Sequence, residues 1–241
     1  MAIGKTVGGF GYVWEGLRLI MKPELRKFVI IPILINILVF SGLIWLGIDQ
    51  FEVFMDWMLP ADSWLDYLRW LLWPLFAIFA VLIVFYAFTA VANLIASPFN
   101  ALLAEKVEVY LTGKQPSDTT PLLKSIIPSI LAELRKITYF LIRVIPLAIL
   151  SIIPGVNVAA PILWGLFNAW FLALEYGDFP MGNHGILFAD QHKKLKAQRF
   201  SSLAFGGGVT LLMMIPVLNF LAMPAAVAGA TAMWAKSMNR E

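Results

Sequence analysis

A chain of 241 residues that is 60% hydrophobic and only 14% charged is too apolar for an ordinary soluble domain, in which about a quarter of residues are charged. Its mean hydropathy of +0.81 and a net charge of +3 carried by Lys and Arg beside apolar runs point to lipid rather than nucleic acid as the partner of its surface. With no cysteine at all, disulfides, thiolate metal sites and a cysteine nucleophile are excluded.

In chain order, the first 27 residues carry Lys5, Glu15, Arg18, Lys22, Glu24, Arg26 and Lys27 without an uninterrupted apolar core, so no cleavable signal is expected. Residues 5–22 mix Tyr12, Trp14, Leu17 and Ile20 with charge, a pattern too polar to span and suited to an interfacial helix. Residues 28–48 hold no Asp, Glu, Lys or Arg and fit one span of the ~30 Å hydrocarbon core. The next uncharged stretch, 70–104, would reach roughly 50 Å as a helix. It reads as a second span over 70–92 whose helix continues, more polar, to about 110. A mixed-charge helical segment over 105–143 and a polar loop over 175–200 are expected as connectors.

Two further apolar stretches resemble each other. Ile153-Pro154 is followed by Asn157 and Pro161, and Ile215-Pro216 by Asn219 and Pro224, at an offset of 62 residues. This is an internal repeat of two helical hairpins, over 140–174 and 201–235, of the kind that transporters use. Their first arms are short for a span and their turns carry no charge, which favours re-entrant hairpins buried in protein at membrane depth. Two ordinary short transmembrane pairs are the alternative. The fold class is therefore all-α integral membrane: two long transmembrane helices, two re-entrant, half-penetrating hairpins and an N-terminal interfacial helix, in a single membrane domain over 1–241. Residues 49–69 hold five acids and one base, and the other bases lie elsewhere. The positive-inside rule then puts both termini in the cytoplasm and lets the hairpins enter from that side.

Three sets of residues carry candidate chemistry. Gly16-Leu17-Arg18, with Lys22, Arg26 and Lys27 ahead of the first span, offers a glycine at a helix break together with cations, which suits a small tetrahedral oxyanion; basic residues there also serve as topology anchors. Asn93, Ser97, Asn100 and Glu108 share one face of a helix. They either line a water-filled path or bond against a neighbouring helix, and the pattern leaves both open. Glu105 and Lys106 have Glu133, Arg135 and Lys136 as potential partners in the next segment. Glu175, closing a long apolar helix, is a functional candidate or a boundary cap. His184 and His192 lack metal-ligand spacing, so neither a metal nor a cofactor is expected, and no catalytic set can be read.

These short motifs, in this order, resemble the CysZ family of bacterial inner-membrane sulfate permeases, which share a domain with EI24-type membrane proteins. The likeness rests on Gly16-Leu17-Arg18 with Pro23-x-Leu25-Arg26, Ile31-Pro32 with Asn36, Ser97-Pro98-Phe99-Asn100 with Glu105, Ile153-Pro154 with Asn157, and Leu174-Glu175-Tyr176. The resemblance implies sulfate uptake for assimilation and cysteine biosynthesis across the inner membrane by a multi-pass, non-enzymatic homo-oligomer without an ATPase subunit. It implies sulfate binding at Gly16, Leu17 and Arg18, helped by neighbouring bases among Lys22, Arg26 and Lys27. Asn93, Ser97, Asn100, Glu105, Glu108, Arg135 and Glu175 are then candidates for lining a path or coupling to protons. Two other classes stand beside this one: a non-transporting sensor or scaffold linked to sulfur metabolism, and a lipid-headgroup enzyme working from the 175–200 loop.

Overall fold

In lipid, only helices and closed barrels satisfy every backbone N–H and C=O. A computed structural model of the chain describes residues 2–58, 66–116 and 122–238, and every regular element among them is helical. In order these are α1 (Ala2–Ile20), α2 (Pro23–Met58), α3 (Asp66–Thr112), α4 (Leu122–Ile152), a short 3-10 turn (Asn157–Ala159), α5 (Ala160–Gly182), α6 (Phe188–Ala197), α7 (Arg199–Met213), α8 (Pro216–Met233) and a terminal π turn (Trp234–Met238). Among the described residues, Pro23–Gly42, Asn157–Gly182 and Pro216–Met238 are long and apolar enough to cross a membrane.

α2 and α3, with 36 and 47 residues, measure about 54 and 70 Å at ~1.5 Å per residue. Both outrun the hydrocarbon core. α2 continues to Met58, into the expected acidic connector, and α3 runs without a break through Asn100, Glu105 and Glu108. The side chains of the acidic connector and most of those in the second expected span, Asn93 among them, lie outside the described residues.

The chain divides into two units, one from residues 1–29 and 100–241 and the other from 30–99. In the second unit α2 turns Ile30, Ile31, Leu34, Ile37 and Leu38 outward, and α3 does the same with Ile78, Phe79 and Val81. Covering a large aliphatic side chain is worth about 1.5–3 kcal/mol, so such a surface in water would aggregate; in a bilayer it needs no further cover.

In the first unit α8 is the central element, buried from Ala225 through Trp234. Its small side chains let other helices come close. α1 packs along α7 and α8, and α5 packs against both from elsewhere on their surface. A Cβ on Gly16 would strike the Ala225 carbonyl and the Gly229 backbone; one on Gly206 would strike the Ala169 carbonyl. The triple glycine 206–208 therefore serves close packing at two of its three members, since Gly208 meets Phe10 and Val13 while Gly207 faces open space. α1, expected as an interfacial helix, buries Val13, Leu19 and Ile20 in this core while Phe10, Trp14 and Arg18 stay exposed.

The two repeat motifs form the turns between α4 and α5 and between α7 and α8. In each, the Asn N–H donates to the carbonyl of the Ile before the proline: Asn157 to Ile153 at 3.0 Å and Asn219 to Ile215 at 2.8 Å. Gly155 makes the first turn with φ of +85°, a backbone open to glycine. Ile215 makes the second in extended conformation, as a residue before proline prefers. Both tips are apolar and exposed, with Ile152, Val156 and Val158 on one and Met214, Val217 and Phe220 on the other.

Two expected boundaries move. The first arm of the first hairpin starts far earlier than residue 140, because α4 is one helix from Leu122. Its outward face repeats Ile130, Leu134, Ile137, Leu141, Ile145 and Ile149 at helical spacing, and the buried Lys136 is paired. The expected 175–200 loop is mostly helical, as the end of α5 and all of α6. Glu175 and Asp178 do not end α5, because Lys136 of α4 faces both.

Candidate functional site

At the corner between α1 and α2, Met21 and Lys22 separate the helices. Pro23 opens α2, the position where a missing N–H costs nothing. The Lys22 carbonyl accepts from Leu25 N–H at 3.0 Å and Arg26 N–H at 2.9 Å, so Lys22 is the residue on which α2 is capped. Glu24 has the one N–H of that first turn that the helix itself leaves over. Arg18, Lys22, Arg26 and Lys27 are all exposed around this turn, at the positive end of the α2 dipole. The Arg18 guanidinium lies 5.6 Å from the Trp14 ring centre and Lys27 5.3 Å from that of Phe28.

Gly16 and Leu17 differ from the expectation. The helix break falls at Met21–Lys22 and not at Gly16, which sits in the body of α1. There the helix consumes its N–H groups, and Gly16 is buried against α8. Glycine is present because α8 comes close, and this contact fixes where Arg18 projects.

On α3 the expected polar face divides. Ser97 is exposed, whereas Asn100 and Glu108 are buried, at 5% and 3% exposure. The Asn100 Nδ2 is buried without a hydrogen-bond partner, a rare state that an amide donor tolerates poorly. Glu108 meets His184, whose Nε2 lies 2.8 and 2.9 Å from its two oxygens. Glu105 bonds its own neighbour Lys106 at 2.7 Å. The pairing expected between Glu105–Lys106 and the 133–136 segment is thus replaced: Lys106 turns to Glu105, Lys136 turns to α5, and Arg135 is exposed.

Lys136 is the centre of the other cluster. Its ammonium, 9% exposed, lies 3.0 Å from Glu133, 3.2 Å from Glu175 and 3.4 Å from Asp178. Gln191 on α6 donates to the second Asp178 oxygen at 2.5 Å and to the Ile186 carbonyl at 2.7 Å. One lysine thus ties α4 to α5, and one glutamine ties α5 to α6. Burial alone would lower the Lys136 pKa, but Glu175, Asp178 and Glu133 outweigh it and hold the ammonium above the ordinary lysine range.

No set of three or more His, Cys, Asp or Glu suited to a metal occurs among the described residues. The Glu108–His184 pair, 76 residues apart, was not legible as a pair, since neither spacing nor motif joins α3 to the turn after α5.

The sequence that forms these elements, from within α1 to the proline in α8, matches a known family. The model of the sulfate transporter CysZ/etoposide-induced protein 2.4 family matches residues 12–224. The chain belongs to this family. Its description is of a transporter, not an enzyme. Sulfate transporter CysZ of Pseudomonas fluorescens (strain Pf0-1) is 46% identical over 240 residues, covering 98% of this chain and 96% of that one. The protein of the same name in Pseudomonas syringae pv. tomato is 46% identical over 229 residues, covering 93% and 90%. That of Pseudomonas aeruginosa PAO1 is 43% identical over 235 residues, covering 96% of each. Family membership, together with the apolar helices of both units, makes this a membrane protein.

Proposed function

We propose that this chain is a sulfate transporter of the bacterial inner membrane, supplying sulfate for reductive assimilation and cysteine synthesis. The observation that carries the reading is near-full-length similarity to proteins named sulfate transporter CysZ, on a chain whose surface is built for lipid. Sulfate is captured at the α1–α2 corner by Arg18 with Lys22, Arg26 and Lys27, assisted by the leftover N–H at the start of α2. Arg supplies two parallel donors to an oxyanion where Lys supplies a point charge, so Arg18 dominates. Gly16 and Leu17 act by seating α1.

From there the anion passes along a polar path in which Asn100, with its spare amide donor, and Ser97 and Asn93 take part. Moving a dianion inward against 100 mV costs about 4.6 kcal/mol, so uptake draws on a steep gradient, on rapid consumption, or on protons carried by Glu108 or Glu175. The path forms in a homo-oligomer, needs no ATPase subunit, and has two hairpins that enter from the cytoplasmic side and return. α7 supports that topology: 15 residues make about 22 Å, short of a ~30 Å core, and its tip is apolar. Because the chain has no cysteine, Asn157→Cys and Asn219→Cys report depth directly; protection from an impermeant maleimide on the outer side supports re-entry, and labelling there means full spans. For the site, Arg18→Ala should lower sulfate affinity of the purified protein at least tenfold without loss of membrane insertion; unchanged affinity removes Arg18 from the site.

A further inference from the structure

Where α4 enters the apolar part of its hairpin, one group of side chains has no role in the sulfate reading. Arg143 is the last charge before the uncharged stretch 144–174. Its guanidinium stacks 3.5 Å from the Tyr139 ring centre and donates to the Tyr139 carbonyl at 2.9 Å. The Tyr139 hydroxyl accepts from Trp170 Nε1 at 2.9 Å and lies 3.2 Å from His192 Nε2. His192 rests edge-on to both rings, at 5.0 Å from Tyr139 and 5.9 Å from Trp170. Tyr and Trp with bonded polar tips mark the headgroup level of a membrane protein. Exposed Leu141, Ile142 and Ile145, between 52% and 62%, continue from that level into the apolar zone.

We propose that Arg143, His192 and Lys196 form a binding site for the phosphate of an anionic phospholipid whose acyl chains lie on Leu141, Ile142 and Ile145. One guanidinium donor is used on the Tyr139 carbonyl, and the exposed remainder suits a phosphate bidentately. Stacking on Tyr139 holds the guanidinium plane in place. The lipid must be anionic because the site is an excess of positive charge. Burial first, then Lys196 and Arg143, push the His192 imidazole below its ordinary pKa, as two cations beside a half-buried ring should. A zwitterionic lipid would bring its own cation to the same place. The site lies on α4, α5 and α6, apart from the α1–α2 corner, and its failure would leave the sulfate reading standing.

The test uses the full chain in detergent, with unfolding temperature measured in mixed micelles containing phosphatidylglycerol or phosphatidylcholine. Phosphatidylglycerol should raise the midpoint by several degrees over phosphatidylcholine, as a ligand of the folded state does. Arg143→Gln with Lys196→Gln should remove at least half of that difference, while Arg199→Gln, an exposed cation elsewhere, keeps it. Arg143→Lys, which retains the charge, gives a folded comparison with a partial loss. Sodium chloride at matched ionic strength should not reproduce the shift. In the wild type the His192 imidazole pKa, followed by NMR, should rise when phosphatidylglycerol is added. Equal midpoints in the two lipids, a full shift in the double variant, the same shift with sodium chloride alone, or an unmoved His192 would each overturn the site.

Discussion

Glu108 of α3 holds both carboxylate oxygens within 2.9 Å of His184 Nε2, and both side chains are almost shut off from solvent, at 3% and 12% exposure. The pair fixes the turn after α5 to α3, and Asn183, donating to the Ala101 carbonyl at 2.9 Å, reinforces the same join. Removing one member of a buried hydrogen-bonded pair costs about 1–3 kcal/mol. Glu108→Ala should therefore lower the unfolding midpoint markedly. His184→Ala should do the same, and a double-mutant cycle should show coupling of more than about 1 kcal/mol. Additive single effects would mean that the two side chains act separately.

The glycines of α1 separate two roles that sequence alone merges. Gly16 is pressed against Ala225 and Gly229, whereas Gly11 has nothing within 4 Å of its missing side chain. Gly16→Ala should force α1 from α8 and cost about 1–3 kcal/mol, with weaker sulfate binding as a consequence of a displaced Arg18. Gly11→Ala should be neutral or stabilise by about 0.5–1 kcal/mol through helix propensity. Thermal denaturation of both variants in one detergent checks this, and equal effects would contradict it.

Lys136 stands among Glu133, Glu175 and Asp178, and its pKa is raised in the folded chain. A raised ammonium stabilises the fold fully below the unfolded lysine value of about 10.5. That contribution is lost as pH rises through the folded value. Lys136→Met would leave three carboxylates facing one another without their cation. The variant should lose most unfolding temperature near pH 8, and the gap from wild type should narrow towards pH 4 as the carboxylates protonate. A gap that does not change with pH would mean that Lys136 acts by packing.

The all-helical architecture was legible because lipid imposes a simple rule on sequence: uncharged runs longer than 20 residues form helices. The I-P-x-x-N repeat marked both hairpin turns for the same reason, since a proline and a freed carbonyl constrain the chain wherever they occur. The break assigned to Gly16 was misplaced because glycine has two uses, breaking a helix and admitting a neighbour, and only the position of Ala225 and Gly229 distinguishes them. The helical 175–200 segment was read as a loop because its charges look unpaired in sequence; Lys136 and Gln191, from other helices, supply what Asp178 needs. The Glu108–His184 pair joins residues that no local pattern connects.

The central claim, that this chain carries sulfate across a membrane and captures it with Arg18, is tested most directly by radiolabelled sulfate uptake into proteoliposomes of the purified protein, with Arg18→Ala reconstituted in parallel. The expected result is protein-dependent sulfate accumulation, reduced at least tenfold in the variant at low sulfate. Uptake by the wild type no faster than by protein-free liposomes would contradict transport, and equal uptake by wild type and variant would contradict the capture site.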